Sequence, residues 1–146
     1  FKHPDPVDFI RVAETVSGMK LDWYLEYWVH STKTIDYAID SLWEDAGKTN
    51  IRIKRIGLMP MPIDIELTFK NGKKVMHQIP LNLMFGKKTS EADTVSLVIE
   101  EEWKWTDPIY TISFPGKLQE IVSVEIDPSK RMADVQRKNN LLQLNW

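Results

Sequence analysis

The sequence predicts a mainly β fold, an immunoglobulin-like antiparallel β-sandwich of about seven strands, preceded by two short α-helices. Up to residue 33, apolar residues recur at three-to-four spacing, which is typical of helices. From residue 34 the spacing changes to two, which is typical of strands, and frequent turn sequences divide this region into short segments. We therefore predict a helical pair over residues 1–33 and a β-sandwich domain over residues 34–146.

The first helix has clear start and end signals. Asp5 is a suitable N-cap, Pro6 is favoured at the first helical position, and Asp8 places a carboxylate where the helix dipole is positive. Gly18 is suited to end the helix in the left-handed conformation. The apolar positions at helical spacing are Phe9, Ala13 and Val16.

The second helix begins near Leu21 and contains four large aromatic residues within six positions: Trp23, Tyr24, Tyr27 and Trp28. Pairs four residues apart lie on the same side of a helix, so these rings cover most of its circumference. Such a helix needs neighbours on more than one side. The preceding helix can supply one of these sides, so we infer a further partner surface, which is either the sheet that follows or a domain missing from this chain.

Two hairpins are predicted in the strand region. Residues 34–40 alternate and are followed by the turn sequence EDAGKTN and by a strand with Ile51 and Ile53 on one face. The second hairpin turns at Asn71 and Gly72. Its first strand has Ile63, Ile65, Leu67 and Phe69 on one face, and its second strand has Val75, His77 and Ile79 in phase with them. Residues 94–103, 109–114 and 118–127 predict three more strands, and LLQLNW predicts a closing edge strand or a tail.

Composition and charge exclude several functional classes. The formal net charge is −2, so there is no excess of Lys and Arg to neutralise the phosphates of a nucleic acid. The chain has no cysteine, which excludes disulfides and Cys-based zinc sites. No apolar run is long enough to span a membrane. The chain starts at Phe1 without a signal segment, which predicts an excised part of a longer protein and leaves its compartment undetermined.

Catalytic and metal-binding patterns are absent from the sequence. His3, His30 and His77 are isolated and match no metal-ligand spacing, and His77 is predicted on a sheet face beside its apolar neighbours. Consecutive glutamates at 100–102 point to alternate sides of a strand, which favours a solvated strand end over paired catalytic carboxylates. No serine lies in a nucleophile motif. We predict no catalytic, cofactor-binding or metal-binding residue in the chain.

Trp103 and Trp105 are two residues apart, so in a strand both side chains would project from one face. One interpretation is a ligand platform on which sugar rings stack. The other is a pair of aromatics facing the core or a neighbouring domain, and this interpretation is favoured because large aromatic residues are mostly packed.

The N-terminal run resembles the end of the catalytic unit in aminopeptidase-N-like zinc metallopeptidases of the gluzincin group. The family pattern is H-P-x-x-x-D-F followed by S-G-x-x-L-D-W-x-x-x-x-W. The matching residues are His3, Pro4, Asp8, Phe9, Ser17, Gly18, Leu21, Asp22, Trp23 and Trp28. TIDYAI, GLMPMPIDIEL, QIPL and IDPSKRMADVQRKNN further resemble the bacterial branch with an immunoglobulin-like C-terminal domain. The resemblance spans nearly the whole chain.

This resemblance implies a non-catalytic C-terminal region whose β-sandwich packs on and supports an upstream catalytic domain. The family's zinc ligands, catalytic glutamate and substrate-binding motif lie upstream and match no position here. The resemblance therefore implies zinc and peptide substrates for the parent enzyme, and an isolated chain that is inactive and binds no zinc at a catalytic site. It leaves the compartment of the parent undetermined, with the periplasm and secretion among the options. It also implies that Trp23, Tyr24, Tyr27 and Trp28 pack the second helix between its helical neighbours and the sandwich, at a domain interface. The alternative is a free-standing β-sandwich module that binds carbohydrate or protein through Trp103 and Trp105.

Overall fold

A computed structural model describes residues 3–86 and 95–145 of the chain. Two α-helices come first, followed by strands and single 3-10 turns. The helices are α1 (Pro6–Ser17) and α2 (Asp22–Val29). The strands are β1 (Tyr37–Asp45), β2 (Lys48–Arg55), β3 (Ile63–Phe69), β4 (Lys74–Ile79), β5 (Ser96–Ile99), β6 (Ile109–Pro115), β7 (Ile121–Ile126) and β8 (Leu141–Gln143).

The strands form two sheets. One has the order β1-β2-β6, and the other has the order β5-β4-β3-β7-β8. All neighbours are antiparallel except β4 and β5, which run parallel. The predicted mainly β fold with two preceding helices is confirmed. The described residues contain eight strands where about seven were expected, because LLQ in the C-terminal segment pairs with β7 as an edge strand.

Both sheets contribute side chains to one core, as expected for a sandwich. Ile51 and Ile53 from the smaller sheet and Ile63, Ile65 and Leu67 from the larger sheet are fully buried. These are the inward positions predicted from the period-two alternation. Each side chain of this size stabilises the fold by roughly 1.5–3 kcal/mol relative to an exposed position.

Helix α1 has the predicted caps. Asp5 accepts a hydrogen bond from the backbone N–H of Asp8, and the Asp8 carboxylate accepts one from the backbone N–H of Asp5. This reciprocal capping box satisfies two donors that would otherwise lack partners. Gly18 ends the helix at φ 67°, a conformation that glycine adopts without steric cost.

Both predicted hairpins are present. β1 and β2 are joined by Ala46 and Gly47, whose φ angles of 48° and 75° match the tight turn favoured by twisted strands. β3 and β4 are joined through the Asn71–Gly72 turn, in which Gly72 has φ 81°. The alternation and the turn residues therefore determine these two pairings locally.

The segment after β7 ties the C-terminus to the first strand. The buried Asp134 carboxylate accepts hydrogen bonds from the backbone N–H of Tyr37 at 2.9 Å and of Gln136 at 2.8 Å, and from Asn140 Nδ2 at 3.1 Å. Asn139 Nδ2 donates to Asp36 Oδ1 at 2.8 Å. Residues nearly a hundred positions apart are thereby joined, so this polar sequence is an ordered part of the sandwich.

Candidate functional site

The inner side of α2 packs on the sandwich. Trp23 is buried against Leu81 and Met84, and its indole N–H donates to the carbonyl of Lys20 at 2.8 Å. Tyr27, one turn later, is half-buried and contacts both this small cluster and the main core. Two of the four aromatics predicted at an interface therefore fix the helix to the sheets.

The other two aromatics of α2 point outward. Tyr24 and Trp28 are 38% and 39% exposed, and their rings stack at a centroid distance of 5.4 Å and an angle of 28°. Stacking of offset rings stabilises this arrangement without burying it. Both rings are therefore partly exposed, and Trp28 also lies at a small cavity beside Ile35, Met59 and Val135.

Helix α1 has an apolar face that is also exposed. Phe9, Val12 and Val16 are 70%, 63% and 83% exposed, whereas Ile10 is buried. At 100° per residue the three exposed side chains lie within about 60° of one another around the helix. They form a continuous stripe, which we call the α1 face. Stripes of this kind mark interaction surfaces more often than single exposed apolar residues do.

A cleft of about 660 Å³ lies between α2 and two loops of the sandwich. One loop contains the 3-10 turn Asn82–Met84 and the exposed Phe85, and the other contains Trp105. The residues around the cleft are Lys20, Asp22, Trp23, Glu26, Tyr27, Leu83, Phe85 and Trp105. Its walls are thus mainly aromatic and aliphatic. The charged side chains are those of Asp22 and Glu26 on α2 and of Lys20 just before this helix.

Backbone hydrogen bonds hold the walls of this cleft together. The N–H of Lys20 donates to the carbonyl of Met84 at 2.6 Å, and the N–H of Trp105 donates to Asn82 Oδ1 at 3.1 Å. Phe85 has φ 46°, a left-handed conformation that is uncommon for a bulky residue. Unusual backbone angles of this kind occur often at binding sites. The Phe85 side chain itself is 78% exposed at this edge of the cleft.

The structure separates Trp103 from Trp105. Trp103 forms an isolated parallel bridge with Leu81, and Trp105 lies in the turn that follows, so the expectation that both side chains project from one strand face is wrong. Trp103 is buried at 3% exposure, meets Tyr37 edge to face at 5.5 Å, and donates its indole N–H to the carbonyl of Asp107. Trp105 is 41% exposed and lines the cleft. The two rings do not form a shared platform.

The three histidines lie in different settings. His3 and His30 are exposed, and His77 is buried on the inner face of β4, as predicted. Its Nδ1 is hydrogen-bonded to Glu100 Oε1 at 2.6 Å, and its ring lies 5.4 Å from Phe114 of the opposite sheet. For Glu100 the prediction of a solvated strand end is wrong, because the parallel pairing of β4 and β5 brings its carboxylate to a buried imidazole.

Two tyrosines have strongly raised pKa values. Burial raises the pKa of Tyr37 to about 12, since the ionised phenolate would lose its hydration inside the core. Burial also raises the pKa of the half-buried Tyr110 to about 12, and the nearby carboxylates of Glu100 and Glu101 act in the same direction. Both phenols are neutral at physiological pH, and both have structural hydrogen bonds, to Met61 and to the Glu101 carbonyl respectively.

The residues that the structure describes contain no group of three or more His, Asp or Glu side chains placed to hold a metal ion. The zinc implied by the resemblance therefore has no ligand set among residues 3–86 and 95–145. Within the same residues, no helix combines the length and the apolar character needed to cross a bilayer.

No protein-family model, curated protein sequence or solved structure matches the chain.

The cleft could not be predicted from the sequence. Leu83 and Phe85 belong to an apolar stretch after a strand, and only the folded chain brings them to α2. One feature of the cleft is visible in the sequence. Asp22 and Glu26 are four residues apart, so their side chains lie on one side of α2, next to Trp23 and Tyr27.

Proposed function

We propose that this chain is the non-catalytic C-terminal region of a zinc-dependent, aminopeptidase-like metallopeptidase, and that it packs on and supports an upstream catalytic domain. The resemblance to the pattern H-P-x-x-x-D-F and S-G-x-x-L-D-W-x-x-x-x-W supports the choice of family. The α1 face provides the observation that favours packing. Phe9, Val12 and Val16 lie together and exposed on a helix that otherwise has the caps of a well-formed element.

The α1 face is the part of the molecule that a neighbouring domain would cover. Three large apolar side chains in contact with water reduce stability and solubility, and burying them contributes about 25 cal/mol per Å². Tyr24 and Trp28 add a second exposed apolar area on α2. In this proposal the helical pair is the joint, with Trp23 and Tyr27 packed on the sandwich and the outer side chains packed on the catalytic domain.

Peptide hydrolysis would belong to the upstream domain of the parent. When bound there, zinc would supply the activation of water and the polarisation of the scissile carbonyl. In this proposal the residues described here contribute no catalytic group, and no three or more of their His, Asp or Glu side chains are placed together to hold a metal ion. Their contribution would be to fix the position of the catalytic domain relative to the sandwich.

Immunoprecipitation tests this proposal. An antibody raised against the chain would be used to isolate the native polypeptide from source cells, and the precipitate would be assayed with aminoacyl-p-nitroanilides. We expect hydrolysis that is lost with a chelator and restored by zinc, and no hydrolysis by the purified 146-residue chain. A native polypeptide that is inactive with zinc present, or a purified chain whose hydrolysis survives repurification, would contradict it.

A free-standing β-sandwich module that binds carbohydrate or protein is the second candidate. The exposed ring of Trp105 at an aromatic cleft favours it, whereas Trp103 is too buried to take part. Titration with oligosaccharides, followed by tryptophan fluorescence, tests this function. A saturable change that disappears in Trp105→Ala supports the module, and constant fluorescence at millimolar saccharide counts against its carbohydrate form.

A further inference from the structure

We propose that the cleft beside α2 is a binding site for the cationic side chain of an arginine or lysine in a peptide segment, with arginine preferred. This site is distinct from the α1 face and does not depend on the packing role proposed above. Its walls are aromatic, and its charged rim is mainly acidic. Together these features select a ligand with a positive head and an apolar stem.

The aromatic walls are suited to a cation. Trp23, Tyr27, Phe85 and Trp105 all line the cleft, and the faces of such rings attract a guanidinium or ammonium group by roughly 0.5–2 kcal/mol. Trp23 is largely buried, and its indole N–H donates to the carbonyl of Lys20. The Tyr27 ring already has a cation over it, because Lys33 Nζ lies 4.8 Å from its centroid. Phe85 and Trp105 are the cleft rings with the largest exposed surface.

Two carboxylates give the cleft its charge. Asp22 and Glu26 are one helical turn apart, and neither forms a salt bridge or side-chain hydrogen bond with any residue in 3–86 or 95–145. The Lys20 ammonium also lines the cleft, but it lies 3.4 Å from the Glu14 carboxylate, which also accepts the N–H of Leu21. Two carboxylates are thus free to pair with an incoming cation.

Charge and shape favour arginine over a neutral ligand. An apolar side chain would cover Asp22 and Glu26 and return neither charge nor hydrogen bonds for their lost hydration, whereas a sugar would return hydrogen bonds from its hydroxyls but no charge. A guanidinium can stack its flat face on Trp105 or Phe85 and donate two hydrogen bonds to a carboxylate at the same time. Its aliphatic stem would cover Leu83.

A matched pair of small probes tests the assignment on the 146-residue chain. N-acetyl-arginine amide would be titrated and followed by NMR of the tryptophan indole N–H signals. N-acetyl-citrulline amide, which has the same shape without the charge, is the control ligand. We expect saturable shifts of Trp105 and Trp23 with the arginine probe and binding at least about tenfold weaker with citrulline, the loss of one favourable charge interaction.

Substitutions locate the site. Glu26→Gln and Trp105→Ala should each weaken arginine binding by about three- to tenfold, because each removes one element of cation recognition. Glu120→Gln is the matched control, since this exposed carboxylate lies beyond the far end of β3 from the cleft, where its backbone carbonyl accepts from Lys70. The affinity of the Glu120→Gln variant for the arginine probe should equal that of the wild type. Circular dichroism of each variant checks that the fold is retained.

Three results would overturn the assignment. The first is equal affinity for arginine and citrulline probes, which would mean that the cleft recognises only apolar shape. The second is unchanged indole signals at millimolar arginine probe. The third is arginine binding that Glu120→Gln weakens as much as Glu26→Gln, which would mean that the interaction is general surface charge.

Discussion

At the scale of single residues, Tyr37 joins the two ends of the chain. It is 1% exposed, its backbone N–H binds Asp134, and its hydroxyl oxygen accepts the N–H of Met61 at 2.8 Å. Because its pKa in the folded chain is about 12 and its ordinary value is 10, the folded state favours the neutral phenol. The resulting stabilisation is fully present below pH 10 and is lost as the pH rises to 12.

We predict that Tyr37→Phe lowers the free energy of unfolding by about 1–3 kcal/mol near neutral pH, since the buried Met61 N–H loses its acceptor. Between pH 10 and 12 the difference in free energy of unfolding between wild type and variant should become smaller. Only the wild type has the Tyr37 hydroxyl, whose ionisation lowers the free energy of unfolding by about 1.4 kcal/mol per pH unit. Urea unfolding across that range measures both quantities. If the difference in free energy of unfolding stays constant up to pH 12, the claim that burial raises the pKa of Tyr37 is contradicted.

Gly57 is a second position at which the structure makes a specific prediction, because there is no space for a side chain there. A methyl group there would lie 2.3 Å from the carbonyl oxygen of Thr34 and 2.6 Å from the backbone nitrogen of Asp36. Both are main-chain atoms that cannot move aside independently, so we expect Gly57→Ala to destabilise the fold by about 1–3 kcal/mol. Thermal unfolding checks this value. Leu58→Ala, at the exposed next residue, is the control and should change stability by less than about 0.5 kcal/mol.

At the scale of elements, local chemistry predicted most of the structure. The start and end of α1 depend on Asp5, Pro6 and Gly18, which act on the adjacent backbone. The hairpin turns likewise depend on the residues within the turns, such as Gly47 and Gly72. The parallel pairing of β4 with β5 could not be predicted from local residues, because parallel strands are joined through long connections. The same long-range pairing explains the error at Glu100.

The aromatic clusters show where such reasoning stops. Four aromatics on α2 predicted contacts on more than one side, and the structure shows one pair packed on the sandwich and one pair partly exposed. Which ring faces the sheets depends on Leu81 and Met84, residues that follow β4 far along the chain. Trp103 and Trp105 were separated for a similar reason, because the chain turns between them and period-two alternation no longer applies.

The α1 face gives a prediction at the same scale. Replacing Val12 and Val16 by Ser should leave the helical content of the isolated chain unchanged, because valine and serine have similar helix propensities. It should reduce binding of a hydrophobic dye, since both side chains are more than half exposed. Val7→Ser, on another side of α1, is the control and should leave most dye binding in place. Equal loss in both variants would contradict a localised face.

At the scale of the whole molecule, the sandwich has a continuous core and an ordered C-terminal closure, whereas the helical pair is packed on one side only. Ile51, Ile65 and Leu67 need no further partner, but Phe9 and Trp28 remain in contact with water. This contrast is the physical basis for assigning the helical pair to a junction with another domain. The cleft beside α2 adds a charged, aromatic recognition site next to that junction.

The measurement that tests the central claim most directly is the size of the native polypeptide in its source cells, determined by immunoblotting with an antibody against this chain. The chain itself has a mass of 17.1 kDa. If it is the C-terminal region of a metallopeptidase, the blot will show a band several times heavier. A single band near 17 kDa would mean that the sandwich stands alone, and it would contradict the proposed docking to an upstream catalytic domain.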